Sequence, residues 1–375
     1  MPGLYLHIPF CRRACTYCDF HFSTSEKGRE ALLDAMAHEM RARAGEANGG
    51  PVATIYFGGG TPSLLAPEGI AAFMQQAGAL FPVEADAEVT LEANPDDVTA
   101  DRLTAWREAG ITRISLGTQS FRDDRLKWMG RAHDARQALA SIGLIANAGF
   151  TSWTIDLIYG LPGMSLIEWD EQLTIALDQG LPHLSAYCLT VEPRTALAHQ
   201  VRQRMVAMPG DADQSAQFDR LMERMERAGL DHYEISNFGR PGHWSRHNTS
   251  YWEGVPYIGI GPSAHSFDGR TRRWNVANNA RYTRSLADGT PYWESETLTP
   301  AQRTNERLMT GLRTTRGVDV AALERDALRI NAGAFRRHVE RGQLTLAEGR
   351  LALTRAGRHF ADRIASDLFV TDDDR

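Results

Sequence analysis

Three of the four cysteines, Cys11, Cys15 and Cys18, fall within eight residues in Cys11-Arg12-Arg13-Ala14-Cys15-Thr16-Tyr17-Cys18. Thiolates hold iron–sulfur clusters, and cysteines this close on one loop reach several irons of one cube. A [4Fe–4S] cube has four irons, so three protein thiolates leave one iron open to a substrate or cofactor. Zinc is the competing chemistry. It needs a fourth ligand, for which His7 or His21 is near, and its usual spacing pairs two cysteines with two distant ligands. A chance cluster of free thiols is the remaining reading; the spacing favours the open cluster.

Other polar residues stand where short apolar runs end. Gly58-Gly59-Gly60-Thr61-Pro62 follows Thr54–Phe57. Glycines there let backbone approach a ligand closely, although a tight turn uses them equally well. Glu92, in Leu91-Glu92-Ala93-Asn94-Pro95, can accept from ribose hydroxyls as acids do at dinucleotide sites. Gln119 in Gly117-Thr118-Gln119-Ser120-Phe121 and Asp156 in Asp156-Leu157-Ile158-Tyr159-Gly160 follow the same logic. Asp156 lies within an apolar run, so it needs a partner, and Arg131 is the expected one. Cys188 reads as a buried core thiol.

These residues need elements to place them. Leu4, Leu6 and Ile8 alternate with polar neighbours, a first strand that runs into the cysteine loop. Further strands are expected at Thr54–Phe57, Glu88–Leu91, Arg113–Leu116, Thr151–Ile158 and His183–Leu189. Helices are expected at Arg29–Arg43 and Pro67–Leu80, from Asp101, near Asp123 and Ala135, and from Leu166. Six strands alternating with helices imply a parallel sheet with right-handed crossovers. Six units are two short of a closed barrel, so an open (β/α)6 three-quarter barrel is expected, with a doubly wound sheet as the alternative. In such units functional residues gather at the C-terminal ends of the strands.

Beyond residue 210 the pattern changes. A helix from Gln214 to Ala228 leads to Tyr233-Glu234-Ile235-Ser236, and Gly239–Phe267 reads as a Gly- and aromatic-rich stretch too irregular for a helix. Helices at Asn305–Leu312, Val320–Leu328 and Ala334–Arg341, a hairpin around Leu344–Leu353 and a last helix capped by Thr354 read as a winged-helix-like domain. The expected division is 1–210, 211–300 and 301–370.

The 375 residues, 42% of them apolar, can bury a large core or two domains. No apolar run is long enough for a transmembrane helix, and the start reads as a strand rather than a signal peptide. Four cysteines, three of them clustered, fit a reducing cytosol better than a disulfide scaffold. A net charge of −6 argues against strong nucleic-acid binding overall. Residues 302–363, however, carry 13 arginines against 7 acids. Such a patch suits nucleic-acid phosphates, haem propionates or an anionic membrane surface equally well. Asp372-Asp373-Asp374 reads as a short solvated tail.

The C-x3-C-x2-C spacing, with Tyr17 before the third cysteine, resembles the radical S-adenosylmethionine (SAM) superfamily. There the open iron is chelated by SAM, and a partial barrel is the usual form. With Tyr5-Leu6-His7-Ile8-Pro9-Phe10 and the strand-end motifs above, the chain from Leu4 to Leu368 resembles one family within it. That family contains oxygen-independent coproporphyrinogen III oxidase and the HemW-type haem chaperones. The resemblance implies a [4Fe–4S] cluster on Cys11, Cys15 and Cys18. It implies SAM lined by Tyr5, Tyr17, Gly59, Gly60, Thr61, Glu92, Gln119, Arg131 and Asp156, with Thr190 as a weaker carry-over.

The oxidase branch carries a further cysteine two residues past the third, and an N-terminal extension. Here Phe20 stands at that position, and three residues precede Leu4. Arg131-Ala132-His133, Tyr233–Phe238, Ile260–His265 and the His-Asn-x-x-Tyr-Trp signature in Arg246–Trp252 resemble the chaperone branch instead. What that branch implies is a cytoplasmic chaperone that binds haem and delivers it to acceptor haemoproteins, membrane-associated ones among them, without binding nucleic acid. Imidazole is a common axial haem ligand and aromatics pack on porphyrin faces, so His247, beside Tyr251 and Trp252, is the haem candidate. His265 and His133 are in reserve, against the ordinary reading of a histidine as a hydrogen-bonded structural residue. Oxidative decarboxylation of coproporphyrinogen III is the alternative activity.

Overall fold

The computed structural model describes residues 2–47, 50–323 and 331–371. Six strands form its centre: β1 (Gly3–Ile8), β2 (Val52–Gly59), β3 (Val83–Ala93), β4 (Arg113–Gln119), β5 (Ser152–Tyr159) and β6 (His183–Cys188). All pair in parallel in sequence order, with helices between successive strands, as the alternation of patterns requires. Their outward residues, among them Leu4, Leu6, Ile55, Phe57, Leu91, Ile114, Leu116, Ile155 and Leu184, are buried beneath the helices. The expected helices Arg29–Ala42 and Pro67–Leu80 are present within a residue of their sequence limits.

The sheet does not stop at six strands. β7 (Asp231–Glu234) and β8 (Asn237–Gly239) extend it past β6, and β8 runs antiparallel. On the other side β9 (Tyr257–Ile260) pairs in parallel with β1 and continues through β10 (His265–Phe267), β11 (Thr271–Asn275) and β12 (Trp293–Thr297). The stretch expected to be irregular thus supplies two strands of the main sheet. It also supplies a helix, Arg246–Trp252, capped by the Ser245 hydroxyl on Asn248 N–H. Seven polar and aromatic residues make no apolar periodicity, which is why the helix is silent in the sequence.

The C-terminal part carries helix Pro300–Gly311, a three-stranded sheet of β13 (Val318–Asp319), β15 (Arg350–Leu353) and β14 (Leu344–Ala347), and helices Ala332–Glu340 and Ala361–Asp367. This is the expected winged-helix-like pattern, with its own cluster around Leu308, Leu344, Leu351 and Ile364. Of the helix expected at Val320–Leu328 only a 3-10 turn, Val320–Ala322, lies within the described residues, and the acidic tail Asp372–Asp374 lies outside them. No helix among the described residues is long and apolar enough to cross a membrane.

One buried acid ties the added strands to the barrel. Glu39, on helix Arg29–Ala42, is fully buried. It accepts from Arg43 Nη1 at 3.2 Å, Gly261 N–H at 2.9 Å, Asn275 Nδ2 at 2.8 Å and Tyr282 Oη at 2.5 Å. Removing one partner of a buried pair leaves an uncompensated charge. Glu39→Ala should therefore cost about 3–5 kcal/mol in urea unfolding. A loss below about 1 kcal/mol would mean that water replaces the carboxylate.

Candidate functional site

The C-terminal ends of β1 to β6 open on a cavity of about 500 Å³. The cysteine loop forms one wall. Its base is closed by Cys11 N–H to Ser23 O at 3.0 Å and Ser23 N–H to Pro9 O at 2.7 Å, and Thr16 N–H binds Met129 O at 3.1 Å. All three thiols are free, half-buried and face this cavity. Thr61 Oγ1 donates to Cys11 Sγ and Arg131 Nη1 to Cys15 Sγ, each at 3.5 Å. The loop after β2 lies so close that a Cβ on Gly60 would stand 2.7 Å from Phe10 O, and Gly59 has a φ of 108°. The glycine run is therefore a close approach as well as a turn.

The donor set fits a cube with an open corner. His7 and His21, the candidate fourth zinc ligands, are both engaged. His7 bonds Tyr5 Oη at 3.1 Å and His21 O at 2.9 Å, and His21 Nε2 bonds Asn279 Oδ1 at 2.7 Å. Among the described residues no three possible ligands gather around one point, as a single zinc ion needs. A cube takes each thiolate on a different iron. Burial pushes the Cys11 thiol up and the Cys18 thiol to about 11; the positive charge of bound iron reverses that preference.

Beside the thiols lie most of the expected SAM residues: Tyr17, Gly59, Gly60, Thr61, Glu92, Gln119, Arg131, Asp156 and Thr190 all line the cavity. Glu92 accepts from Tyr56 Oη at 2.8 Å and Gly59 N–H at 3.2 Å. Burial, reinforced by nearby Asp156, raises its pKa to about 7. Gln119 holds a φ of 65° at an irregularity in the β4–β5 pairing, a strained position of the sort that functional sites retain. Thr190 Oγ1 donates to Glu192 at 3.0 Å.

Three expectations change. Arg131 does not pair with Asp156. Its Nη2 donates to Asn94 Oδ1 at 2.5 Å and Gly117 O at 2.8 Å, while Asp156 takes the Ser115 hydroxyl at 3.5 Å and that of Ser185. Burial raises the Asp156 pKa to about 6. Tyr5 lies behind the wall, stacked on Tyr56 with ring centroids 6.0 Å apart, because its inward position on β1 falls one layer below the strand ends. Cys188, expected as a buried core thiol, is half-buried: it packs against the core and also lines the cavity, and burial raises its pKa to about 11. Asn94, Ser115 and Tyr187 also line the cavity and were missed. The rule that strand ends carry the site could have found them.

His247 lies at the opposite, N-terminal end of the strands and lines neither this cavity nor the second one described below. Its Nδ1 bonds Thr54 Oγ1 at 2.8 Å and its Nε2 bonds Tyr251 Oη at 2.7 Å, and its ring stacks on Tyr56 at 4.8 Å. Burial lowers its pKa to about 3, so the ring is neutral. His133 is buried with Nε2 on Thr118 O at 3.1 Å, whereas His265 is exposed beside Trp274. A second cavity, of about 590 Å³, lies between helix Arg246–Trp252 and the C-terminal part.

Parallel strands ending on a three-cysteine loop and a cavity with half-buried acids define a radical SAM protein. Residues 5–173 match the Radical SAM superfamily, and residues 298–360 match the HemN C-terminal domain. The solved structure of coproporphyrinogen III oxidase HemN from Escherichia coli shares the fold, with a TM-score of 0.85 at 23% identity over 98% of this chain and 90% of that one. The heme chaperone HemW of Bacillus subtilis is 32% identical over 97% of this chain and 98% of its own length. That of Mycobacterium tuberculosis (strain H37Rv) is 37% identical over 98% and 94%. The chain belongs to the HemW family.

Two outcomes follow from the cavity. Cys11→Ala should lose the iron–sulfur absorbance after anaerobic reconstitution, since two thiolates do not retain a cube; full iron content in that variant would remove Cys11 from the ligand set. Glu92 holds its proton more tightly when folded than its ordinary value of 4.5 allows. Its contribution to stability is therefore present below that value and lost as pH rises through about 7. Without ligand, Glu92→Gln should gain about 2–3 kcal/mol on wild type between pH 5 and 8 in urea titrations while binding SAM more weakly. Parallel pH profiles would show that the carboxylate is hydrated.

Proposed function

We propose that the protein is a SAM- and [4Fe–4S]-binding haem chaperone that binds haem and delivers it to acceptor haemoproteins. The observation that carries the cofactor reading is the convergence of three thiols and nine expected SAM residues on one cavity. Cys11, Cys15 and Cys18 hold the cluster, and Thr61 and Arg131 donate to the Cys11 and Cys15 sulfurs. Glu92 accepts from the ribose hydroxyls, and the Gly59-Gly60 backbone lets the ligand lie flat against β2. When bound, the cluster and SAM supply one-electron cleavage of the sulfonium. Tyr5 serves this site by packing behind Tyr56, which orients Glu92.

Delivery of haem rests on family membership, since the relatives are named for it. In this reading residues 1–210 form the cofactor domain, 211–300 the extension that carries His247, and 301–370 the C-terminal domain. His247 serves haem through Tyr251, whose hydroxyl it holds. The acceptors are membrane-associated, and the chaperone works in the cytoplasm, where reducing conditions keep the cysteine loop open to iron.

Coproporphyrinogen III oxidation is the second reading, supported by the fold shared with HemN. Against it stands Phe20, 69% exposed at the cavity mouth, where the oxidase branch carries a cysteine. Anaerobic incubation with coproporphyrinogen III, SAM and reductant should leave the porphyrinogen unchanged, and a haem titration should give a saturable Soret band near one equivalent. Protoporphyrinogen formation without haem binding would reverse the assignment.

A further inference from the structure

The main sheet has two ends, and the chain treats them differently. At one end β7 is closed off: Ile235 N–H donates to Arg313 O at 3.1 Å, Thr315 N–H donates to Tyr233 O at 3.0 Å, and Glu234 bridges to Thr314. At the other end β12 pairs only with β11 among the described residues, and all five of its residues are exposed. The β11–β12 register is flanked by Leu298 N–H on Arg270 O at 3.0 Å and Val276 N–H on Tyr292 O at 2.8 Å, so the backbone of Glu294 and Glu296 faces β11. The N–H and C=O groups of Trp293, Ser295 and Thr297 therefore point away from the sheet. Such a row of backbone groups is a template for one more strand.

The side chains select which strand fits. Alternation puts Glu294 and Glu296 on one face of β12 and Trp293, Ser295 and Thr297 on the other. Glu294 has no ion pair among the described residues. Glu296 stands 3.9 Å from Arg272, which also pairs with Glu306, so one guanidinium serves two carboxylates. On the second face the Arg273 guanidinium lies 4.4 Å from the Trp293 ring centroid and pairs with Glu46, and Trp293 itself is 41% exposed. A second copy of β12, paired antiparallel about Ser295, would set Glu294 against Glu296, and like charges directly opposite are destabilising. A strand with basic side chains at alternate positions would instead meet a carboxylate at each of them. The cytoplasmic loops of membrane proteins carry an excess of lysine and arginine.

We infer that β12 is the docking edge for the acceptor: an extended, lysine- and arginine-rich segment of a membrane haemoprotein adds to the main sheet as a further strand. Hydrogen bonds to the outward backbone of Trp293, Ser295 and Thr297 supply affinity, and Glu294 and Glu296 select by charge. The inference rests on the haem-delivery reading and adds to it how an acceptor is recognised. The edge is a fixed platform. β12 joins the barrel through β11, β10, β9 and β1, and Glu39 ties Gly261 and Asn275 to helix Arg29–Ala42. A platform set before binding spares the complex the cost of ordering it.

The test uses the full chain and a fluorescent peptide in which valine alternates with lysine and arginine, followed by anisotropy at low salt. Wild type should bind it at least about tenfold more tightly than the same peptide with glutamate at the basic positions. A peptide N-methylated at alternate residues, which cannot pair as a strand, should bind about fivefold or more weaker than its parent. Ser295→Pro removes an outward N–H that β11 does not use, and should weaken the basic peptide about fivefold or more. Glu294→Lys/Glu296→Lys should weaken it about tenfold or more and strengthen the acidic peptide. Both variants should match wild type in iron–sulfur absorbance, far-ultraviolet circular dichroism and haem affinity, since β12 lines neither cavity. Equal affinity for the parent and N-methylated peptides, or for the basic and acidic ones, overturns the docking edge while the chaperone reading stands. A wild type that binds the peptide as expected but takes up no haem overturns the chaperone reading and leaves the edge.

Discussion

The carboxylate of Glu88 decides where the second half of the chain sits. It stands midway along β3, level with Thr54 of β2, and takes two backbone N–H groups, from Arg246 at 3.1 Å and His247 at 3.0 Å. These are the first amides of the Arg246–Trp252 helix, which have no partner within the helix. An open barrel of six strands has a polar lumen with two mouths. The cofactor cavity occupies the mouth at the C-terminal strand ends. The other must be filled, because Arg113, Thr154 and His183 face into it and are buried. The helix fills it, and Arg113 and Tyr233 hold its approach: Arg113 Nη1 donates to His243 O at 3.2 Å, and Tyr233 Oη accepts from Ser245 N–H at 3.3 Å.

Once the floor is set, the lumen becomes a stacked column. Glu92 bonds Tyr56, Tyr56 stacks on His247, and His247 bonds Tyr251 at the edge of the second cavity. Each member depends on its neighbours for satisfaction, since a polar group left unpaired in a dry lumen is expensive. Gly3 belongs to the same constraint: a Cβ there would meet Thr54 Oγ1 at 2.9 Å and the His247 ring at 3.3 Å. The column also explains a histidine whose burial holds it neutral. It is a hydrogen-bonding strut between a threonine and a tyrosine, and it needs no charge for that.

The cofactor cavity carries the opposite arrangement. Glu92 and Asp156 are half-buried acids whose pKa values rise to about 7 and about 6, and neither has a direct ion pair among the described residues. An apolar core would be more stable. Such groups persist where a ligand uses them, and Arg131 shows how the charge is rationed: it lies between the cysteine loop and β4, on Cys15, Asn94 and Gly117. With that guanidinium committed, Asp156 keeps only serine hydroxyls and remains free to answer a bound cation.

The sequence by itself determined the six βα units, the cysteine loop and nearly all of its cavity. Alternating apolar positions and glycine-marked strand ends are local signals, and parallel topology turns them into one site without further information. Tertiary structure alone decided three things. It took Tyr5 from the cavity wall, because one layer along a strand separates an inward residue from the mouth. It gave Asp156 serines in place of Arg131, because hydrogen-bond competition at Asn94 and Gly117 has no trace in spacing. And it turned Gly239–Phe267 into a plugging helix and strands of the main sheet, because those elements, of three to seven residues, are held by contacts with Glu88, β1 and Glu39. Short elements with too little periodicity of their own take their form from what they pack against.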